Sequence, residues 1–156
     1  MRRHEYVLAL DASLPRVADD PAVHHPTSDD VESLAELMLD AYLDTIDYEG
    51  ETIVEAREEV ERYFAGRPLL ECSWVRVDGD AVVAALLVSH WVDRGRPIVS
   101  YVMTASDRKG RGLAADLLAR TLAAVVAAGF AELWAVITEG NLPSEALFAG
   151  AGFRRR

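Results

Sequence analysis

Cysteine is almost absent from this chain, since Cys72 is the only one among 156 residues. A single cysteine cannot form an internal disulfide, so the sequence predicts a cytoplasmic protein. Stability must then come from apolar packing. Apolar residues make up 51% of the chain, which suits one domain of ordinary size with a substantial core.

Long apolar runs are missing as well. The longest uncharged apolar stretches cover residues 81–89 and 121–131, and both are well short of the roughly 18 residues that a membrane span requires. The N-terminal sequence MRRHEYVLALD begins with basic residues, but its apolar part is too short for a signal peptide. The sequence therefore predicts no membrane partner.

Basic residues are in the minority. Lys and Arg number 16 against 26 for Asp and Glu, which gives a net charge of −10. A nucleic-acid-binding surface is basic, so the composition predicts no nucleic-acid partner. An acidic field favours a cationic partner, although the same charge can serve only to keep a protein soluble.

The first half of the chain predicts two helices after a less regular beginning. Apolar residues recur at helical spacing over residues 28–43 and again over 52–65. Residues 11–30 are rich in Pro and Asp and are predicted to be mostly a loop. We therefore divide the chain into an N-terminal strand or arm, 1–26, and a domain, 27–156.

The second half alternates strands and helices. The predicted elements are strands at 72–77, 81–91 and 98–104, a helix from Leu113 to Gly129, a strand at 132–138, a helix at 143–150 and a strand stub at Phe153. The first three strands should form an antiparallel meander, and the strands on either side of the long helix should lie parallel. The predicted class is α+β, an α/β/α sandwich with a mixed, mostly antiparallel sheet and helices on both faces.

A glycine segment, residues 107–114, carries the clearest functional signal. It reads DRKGRGLA, lies between a predicted strand and a helix N-terminus, and concentrates basic side chains in an acidic chain. Glycines let backbone N–H groups face a ligand, and a helix N-terminus adds unpaired donors with partial positive charge. Together these features predict a phosphate or pyrophosphate site, with a plain solvated loop as the alternative.

A glycine-rich segment that binds phosphate can also belong to a P-loop or to a dinucleotide-binding motif. The P-loop pattern G-x-x-x-x-G-K-[ST] does not occur. Residues 110–115 fit the dinucleotide pattern G-x-G-x-x-A, with Glu139 as a candidate ribose-binding acid. However, five residues separate the predicted strand from the first glycine, and only about forty residues follow, too few for the remaining parallel strands.

The glycine segment resembles the acetyl-CoA signature [RQ]-x-x-G-x-[GA] of the GNAT acetyltransferase superfamily. Here it reads KGRGLA over residues 109–114, with Lys109 in place of Arg or Gln. NLPSEALFAGAGF, residues 141–153, is similar to a second family element, N-x-x-A-x-x-L-Y-x-x-x-G-F. Ser144 replaces its first alanine and Phe148 its tyrosine. The order of predicted elements also fits the family.

The resemblance implies a cofactor and its place. The cofactor is acetyl-CoA or another acyl-CoA, and no metal is implied. Its pyrophosphate would bind the backbone amides of the signature, and its pantetheine would pair along the preceding strand, which the family splays from its parallel neighbour at a bulge. A backbone N–H there polarises the thioester carbonyl. The implied cofactor-binding residues are Val102, Met103, Thr104, Lys109, Gly110, Arg111, Gly112, Leu113, Ala114 and Asn141.

The resemblance also implies a reaction, the direct attack of a primary amine on the thioester after a base has removed a proton. The sequence identifies no base, because the family's glutamate slot holds Val136, and Glu139, His90 and Glu71 are only candidates. Phe148 occupies the slot of a tyrosine that can protonate the departing CoA. The catalytic residue is therefore left unknown, and a slow enzyme is expected.

Acceptor specificity in the family usually comes from the loop between the first two helices. Here that acidic loop, residues 44–50, carries Asp44, Asp47, Tyr48 and Glu49. Acidic and aromatic side chains suit a cationic amine, whereas a solvated connector is the structural alternative. The alternative function is an acyl-CoA-binding sensor or interaction module with little or no turnover.

Family chains normally continue for one more strand beyond the Gly-Phe pair, whereas this sequence ends at Arg156. We expect the sheet edge near Phe153 to be short and partly open, or to be covered by residues 6–10 or by a second subunit. Unpaired strand edges favour pairing with another chain, so a homodimer is one expectation.

Overall fold

The computed structural model describes residues 2–11, 13, 16–43, 45–91, 93 and 95–156. Within these residues the chain forms one seven-stranded sheet and four α-helices. The strands are β1 (Arg3–Ala9), β2 (Val23–His24), β3 (Trp74–Asp78), β4 (Ala81–Trp91), β5 (Arg96–Thr104), β6 (Glu132–Thr138) and β7 (Arg154–Arg155). The helices are α1 (Val31–Tyr42), α2 (Ile53–Ala65), α3 (Leu113–Ala127) and α4 (Leu142–Gly150).

The strands follow the order β2-β3-β4-β5-β6-β1-β7 across the sheet. β3, β4 and β5 form an antiparallel meander, and β5 runs parallel to β6. The remaining neighbours pair antiparallel. The predicted α+β class with a mixed, mostly antiparallel sheet is confirmed, and so is the parallel unit formed by β5, α3 and β6.

β1 is an interior strand of the sheet. It pairs with β6 along its whole length, from Arg3 opposite Thr138 to Ala9 opposite Glu132, and its other edge pairs with β7. The N-terminal segment thus pairs with the strand that follows Phe153, which was one of the three expectations for that edge, and it does so from inside the sheet. β7 is only two exposed arginines long, so it forms a short, charged outer edge.

Apolar residues along β4 build two cores, one on each face of the sheet. Ala84, Leu86 and Val88 contribute to the core beneath α3 and α4, while Ala85 and Leu87 contribute to the core beneath α1 and α2. All five are fully buried. Successive strand residues point to opposite faces, so a continuously apolar strand serves both layers. Helices on both faces are thus confirmed.

The element boundaries agree with the sequence to within a few residues. The predicted helix over 28–43 contains a short 3-10 turn, Ser28–Asp30, that leads directly into α1 and is closed by a Thr27–Asp30 capping box. The prediction of a loop over 11–30 missed β2, because two residues are too few to show a period. In the described part of the chain, no helix is both long and apolar enough to cross a membrane.

Candidate active site

The parallel strands β5 and β6 separate soon after they meet. They pair only at Ile98 with Trp134 and at Val99 with Ala135, although both strands continue for several residues. On its other edge β5 carries a bulge, because Leu87 pairs with Tyr101 while the next residue of β4, Val88, pairs with Val99. The extra residue, Ser100, bends β5 just where the parallel pairing stops. The result is an open wedge between residues 100–104 of β5 and 136–138 of β6.

A cavity of about 630 Å³ occupies this wedge. β5 and β6 form its sides, α1, α2 and the acidic loop cover it from one face of the sheet, and the start of α4 reaches it from the other. Its volume lies within the range of sites that bind small molecules and cofactors. The wedge is therefore the candidate active site.

The backbone of β5 presents groups to the wedge that do not pair with a neighbouring strand. The Ala105 amide donates to the Val83 carbonyl at 2.9 Å, so the backbone of alternate residues, Met103 and Tyr101, is turned toward β4. Val102 and Thr104 are consequently turned the other way, toward the wedge. In agreement, the Val102 carbonyl accepts a hydrogen bond from Tyr42 Oη on α1 at 3.2 Å rather than from a strand. An extended ligand can pair with this edge as an added strand would.

Met103 plays a different part from its two neighbours. Its side chain is 1% exposed and belongs to the core beneath α1 and α2. Its backbone belongs to the β4–β5 ladder. Of the three strand residues predicted to line the pantetheine, Val102 and Thr104 therefore offer backbone groups, while Met103 holds the strand in place.

The glycine segment has open space around it. Gly110 and Gly112 have φ values of 79° and 76°, a left-handed conformation that favours glycine, and no atom lies within 4 Å of a Cβ built on either one. Leu113 begins the 15-residue helix α3 directly afterwards. Exposed amides and a helix N-terminus thus lie together beside the wedge strand, a combination that fits a pyrophosphate.

The basic side chains of this segment are not equivalent. Arg108 is paired with Asp78 at 2.6 Å, and Lys109 Nζ donates to the carbonyl of Ala41 at 3.0 Å. Arg111 is exposed and, within the described part of the chain, makes no ion pair. The sequence grouped these cations as one patch, whereas the fold leaves Arg111 with the greatest freedom to meet a phosphate.

Asn141 connects the start of α4 with the acidic loop above the wedge. It caps α4, because its Oδ1 accepts from the Ser144 amide at 3.2 Å, and its Nδ2 donates to Asp47 Oδ2 at 2.8 Å. Asp47 and Tyr48 line the cavity, whereas Glu49 does not, and its amide instead donates to the Glu51 carboxylate at 2.9 Å. Asp44 lies outside the described residues. The acidic loop is therefore tied to the start of α4.

Most charged groups on the cavity wall are carboxylates. They are Asp47, Glu51, Glu55, Glu58 and Glu59, with Arg3 and Arg62 as the basic ones. The contribution of α2 was not predicted from the sequence, although the spacing of four between Glu55 and Glu59 places both side chains on one face of that helix, and Glu51 lies just before its N-cap, Thr52. The part of the wall formed by residues 47–59 is therefore mostly acidic.

None of the three candidate bases named from the sequence lies on the cavity wall. Glu139 contacts His4 at 3.4 Å, and the His90 ring lies 6.5 Å from that of Phe130. Glu71 is part of the short turn Leu70–Cys72. Val136 does line the cavity, as does Phe148, whose ring packs edge-on against Phe153 at 5.0 Å.

Two tyrosines on the cavity wall have raised pKa values. Burial, and next the negative charge of Asp47, raise the pKa of Tyr42 well above its usual value. Burial, together with the hydrogen bond from Tyr101 Oη to Glu59, does the same for the pKa of Tyr101. Both phenols are thus hydrogen-bond donors at neutral pH. Among the described residues, no group of three or more His, Cys, Asp and Glu could hold a metal ion.

Known proteins share this architecture. The sequence model of the acetyltransferase (GNAT) domain matches residues 22–154. A search of curated proteins found no match. A GCN5-related N-acetyltransferase from Sphaerobacter thermophilus superposes with a TM-score of 0.73 at 17% identity, over 99% of this chain and 48% of that chain. This chain therefore spans about half the length of that relative.

Two further structures cover 85% of this chain. An acetyltransferase from Salmonella typhimurium, solved with its cofactor acetyl-CoA, has a TM-score of 0.67 at 20% identity and is covered over 78% of its length. The ribosomal-protein-S18-alanine N-acetyltransferase from Escherichia coli has a TM-score of 0.68 at 15% identity and is covered over 76%. At these identities the likeness establishes the fold alone. Together with the family match, it shows that the chain belongs to the GNAT acetyltransferase family.

Proposed function

We propose that this protein is an N-acyltransferase that moves the acetyl group of acetyl-CoA to a primary amine by direct attack. The observation that carries the proposal is the wedge, where a strand edge with free backbone groups leads into an open glycine turn at a helix N-terminus. Family membership supports acyl transfer in general. Acetyl-CoA as the donor is supported by the Salmonella relative, which binds it.

The residues around the wedge fit acetyl-CoA. The amides of residues 109–114 would hold the pyrophosphate, helped by Arg111, and the edge of β5 would pair with the pantetheine amides through Val102 and Thr104. Asn141 would meet the same arm from the α4 side. When bound, the cofactor supplies an activated acetyl group, and the Val102 amide would donate to its carbonyl oxygen.

The acceptor proposed for this site is a cationic amine. Carboxylates from the acidic loop and α2 line the cavity and would attract a positively charged group. The attacking amine must first lose a proton, and water in an open acidic cavity can carry that proton to solvent. Asp47 and Tyr48 are the loop residues that we propose contact the acceptor, because both lie on the wall.

The test is release of the CoA thiol from acetyl-CoA against a panel of amines, with neutral amines of matched size as controls. Cys72 is fully buried, and burial raises the pKa of its thiol to about 11, so it does not compete for a thiol reagent. Turnover that favours cationic amines supports the proposal. Tight acetyl-CoA binding without turnover supports a binding module instead, and no binding overturns both.

The remaining expectations from the sequence stay predictions. They are the identity of the amine, the cytoplasmic location, the lack of a nucleic-acid partner and a homodimer. Sedimentation across a wide range of protein concentration tests the homodimer directly.

A further inference from the structure

The departing sulfur needs a hydrogen-bond donor, and position 148 has none to offer. When a thioester loses its acyl group, the sulfur leaves with the electron pair of the C–S bond and becomes a thiolate. A hydrogen bond to that sulfur stabilises the developing charge. Phe148 lines the cavity, but its ring has no O–H or N–H to donate, so any such donor must come from another residue.

Five other hydroxyls line the cavity, those of Ser100, Tyr101, Tyr48, Thr138 and Ser144. The first three already have other partners, and the last two make no hydrogen bond to the backbone of β5 among the described residues. Ser100 donates to Ser89 at 2.8 Å, and Tyr101 donates to Glu59. Tyr48 faces the Glu51 carbonyl at 3.5 Å. Tyr42 differs, because its hydroxyl reaches across from α1 to the unpaired edge of β5 and contacts the Val102 carbonyl at 3.2 Å.

We propose that Tyr42 is the hydrogen-bond donor to the CoA sulfur, supplied from α1 to a site that lacks a hydroxyl at position 148. The inference rests on the proposed function. The amine nitrogen forms the new bond to the acyl carbon, the C–S bond breaks, and the sulfur takes its electron pair. The proton lost by the amine passes to solvent, and the thiolate takes up a proton when it leaves, so charge and atoms balance.

The position of the Tyr42 hydroxyl follows from the strand edge. An extended ligand that pairs with β5 would offer its own N–H to the Val102 carbonyl. The Tyr42 hydroxyl then exchanges this acceptor for another by rotation about its C–O bond, without movement of the ring. Its ring packs against the core beneath α1 and α2, so the hydroxyl stays at the wedge.

The end of α1 is fixed to the segment that leads to the glycines. Asp40 accepts from the amide and the hydroxyl of Ser106, both at 2.8 Å, and the carbonyl of Ala41 accepts from Lys109. Tyr42 follows directly as the last residue of the helix. Asp40 and Ala41 therefore fix the position of Tyr42 relative to the glycine segment.

Tyr42 also remains a donor throughout the working pH range. The ionisable groups that act on it are Asp47 of the acidic loop and Tyr101 of β5. Burial and the Asp47 charge disfavour the phenolate, so the hydroxyl keeps its proton while the thiol beside it ionises. A donor of this kind lowers the pKa of a bound thiol by stabilising the thiolate.

The experiment uses CoA itself, which carries a free thiol and needs no acceptor. Thiolate formation in the complex is followed by ultraviolet absorbance across pH, by difference from the complex with desulfo-CoA. In the unchanged protein the bound thiol should have a pKa about one unit or more below its value in Tyr42→Phe, the size expected for one hydrogen bond to a charged group. Affinity for desulfo-CoA should be the same in both.

Tyr63→Phe is the matched control, because it removes another buried phenol on the same face. Its hydroxyl contacts Ser73 Oγ and the Val88 carbonyl, both at 2.9 Å, and does not line the cavity. The thiol pKa in this variant should match that of the unchanged protein. Equal thiol pKa values in Tyr42→Phe and the unchanged protein overturn the inference, whereas failure of the unchanged protein to bind CoA overturns the proposed function with it.

Phe148→Tyr gives a second test, and its measurement in the protein that keeps Tyr42 does not depend on the folding of Tyr42→Phe. If Tyr42 already serves the sulfur, a new hydroxyl at 148 should change kcat by less than about threefold in the unchanged protein and should restore kcat in Tyr42→Phe. If Tyr42 does not serve it, Phe148→Tyr should raise kcat by up to about 100-fold, within the range of general acid catalysis, and that result overturns the inference.

Discussion

The two halves of the candidate site are built from different chemistry. The half proposed for acetyl-CoA uses the backbone of Val102, Thr104 and the glycine segment, whereas the half proposed for the acceptor uses side chains of the acidic loop and α2. Every sequence carries backbone amides, so only the bulge and the glycines that expose them need particular residues. Side chains on a helix face can be exchanged without disturbing the fold. The backbone half is therefore the more constrained, and the acceptor half is free to determine specificity.

Gly112→Asp should produce the largest loss of acetyl-CoA affinity, because it places a charged side chain in the half of the site that is built from backbone groups. The new carboxylate would face the phosphates at the N-terminus of α3, and like charges placed together in a binding site cost several kcal/mol. We expect acetyl-CoA affinity to fall by about 100-fold or more. Calorimetric titration measures the change.

Gly95→Asp provides the control for this variant. Gly95 also has a positive φ, 63°, and open space around it, but it lies in the turn before β5 and not in the glycine segment. Both variants carry a similar backbone penalty, so both should melt at similarly lowered temperatures. A loss of affinity in Gly95→Asp equal to that in Gly112→Asp would contradict the assignment.

The second prediction concerns the helix that carries the acceptor half. Tyr63 anchors α2 to the sheet, and burial raises its pKa to about 12. Its pKa in the unfolded chain is about 10, so the folded state binds the proton more tightly, and stability is lost as pH rises from 10 to 12. The free energy of unfolding should fall by on the order of 2 kcal/mol from this residue alone.

Denaturant titrations at pH 9 and at pH 11.5 measure that change. Tyr42 and Tyr101 also have raised pKa values, so the unchanged protein should lose more stability than one residue explains. The difference between the unchanged protein and Tyr63→Phe isolates Tyr63. An identical pH dependence in both proteins would show that this hydroxyl does not anchor α2.

The difference between the backbone half and the side-chain half of the site also explains which features could be predicted from the sequence. Glycines between a strand and a helix are a local pattern, so the place of the glycine segment, the parallel strands and the helices on both faces could be predicted in order along the chain. The hydrogen bonds of Tyr42 to Val102 and of Asn141 to Asp47 join residues 60 and 94 positions apart. The spacing of apolar residues along the chain does not indicate contacts between positions so far apart. The place of β1 between β6 and β7 also depends on contacts between distant parts of the chain, and the sequence offered the N-terminal segment only as one of three possibilities for the edge near Phe153.

The third prediction tests the acceptor half by charge. Glu51 and Glu58 lie on the cavity wall, so the double variant Glu51→Gln with Glu58→Gln should raise the KM of a cationic amine by about five- to tenfold, since charge pairs near solvent contribute up to about 1 kcal/mol each. The KM of acetyl-CoA should not change. Glu61→Gln is the control, because Glu61 is exposed on α2, the helix that carries Glu58, but does not line the cavity. An equal effect of Glu61→Gln would mean that overall charge, rather than the wall, attracts the amine.

The smallest predicted effect is the difference in acetyl-CoA affinity between variants of the basic residues in the glycine segment. Arg111 is exposed and not engaged in an ion pair with any described residue, whereas Arg108 is held by Asp78. Arg111→Ala should therefore weaken acetyl-CoA binding by about threefold, with less effect at high salt because exposed charges are screened. Arg108→Ala should leave the affinity within about twofold, since its charge is already neutralised locally. Titrations at low and high salt decide between them. A larger loss of affinity from Arg108→Ala than from Arg111→Ala would mean that Arg108 leaves Asp78 and pairs with the phosphates. Side chains as well as backbone amides would then bind the cofactor.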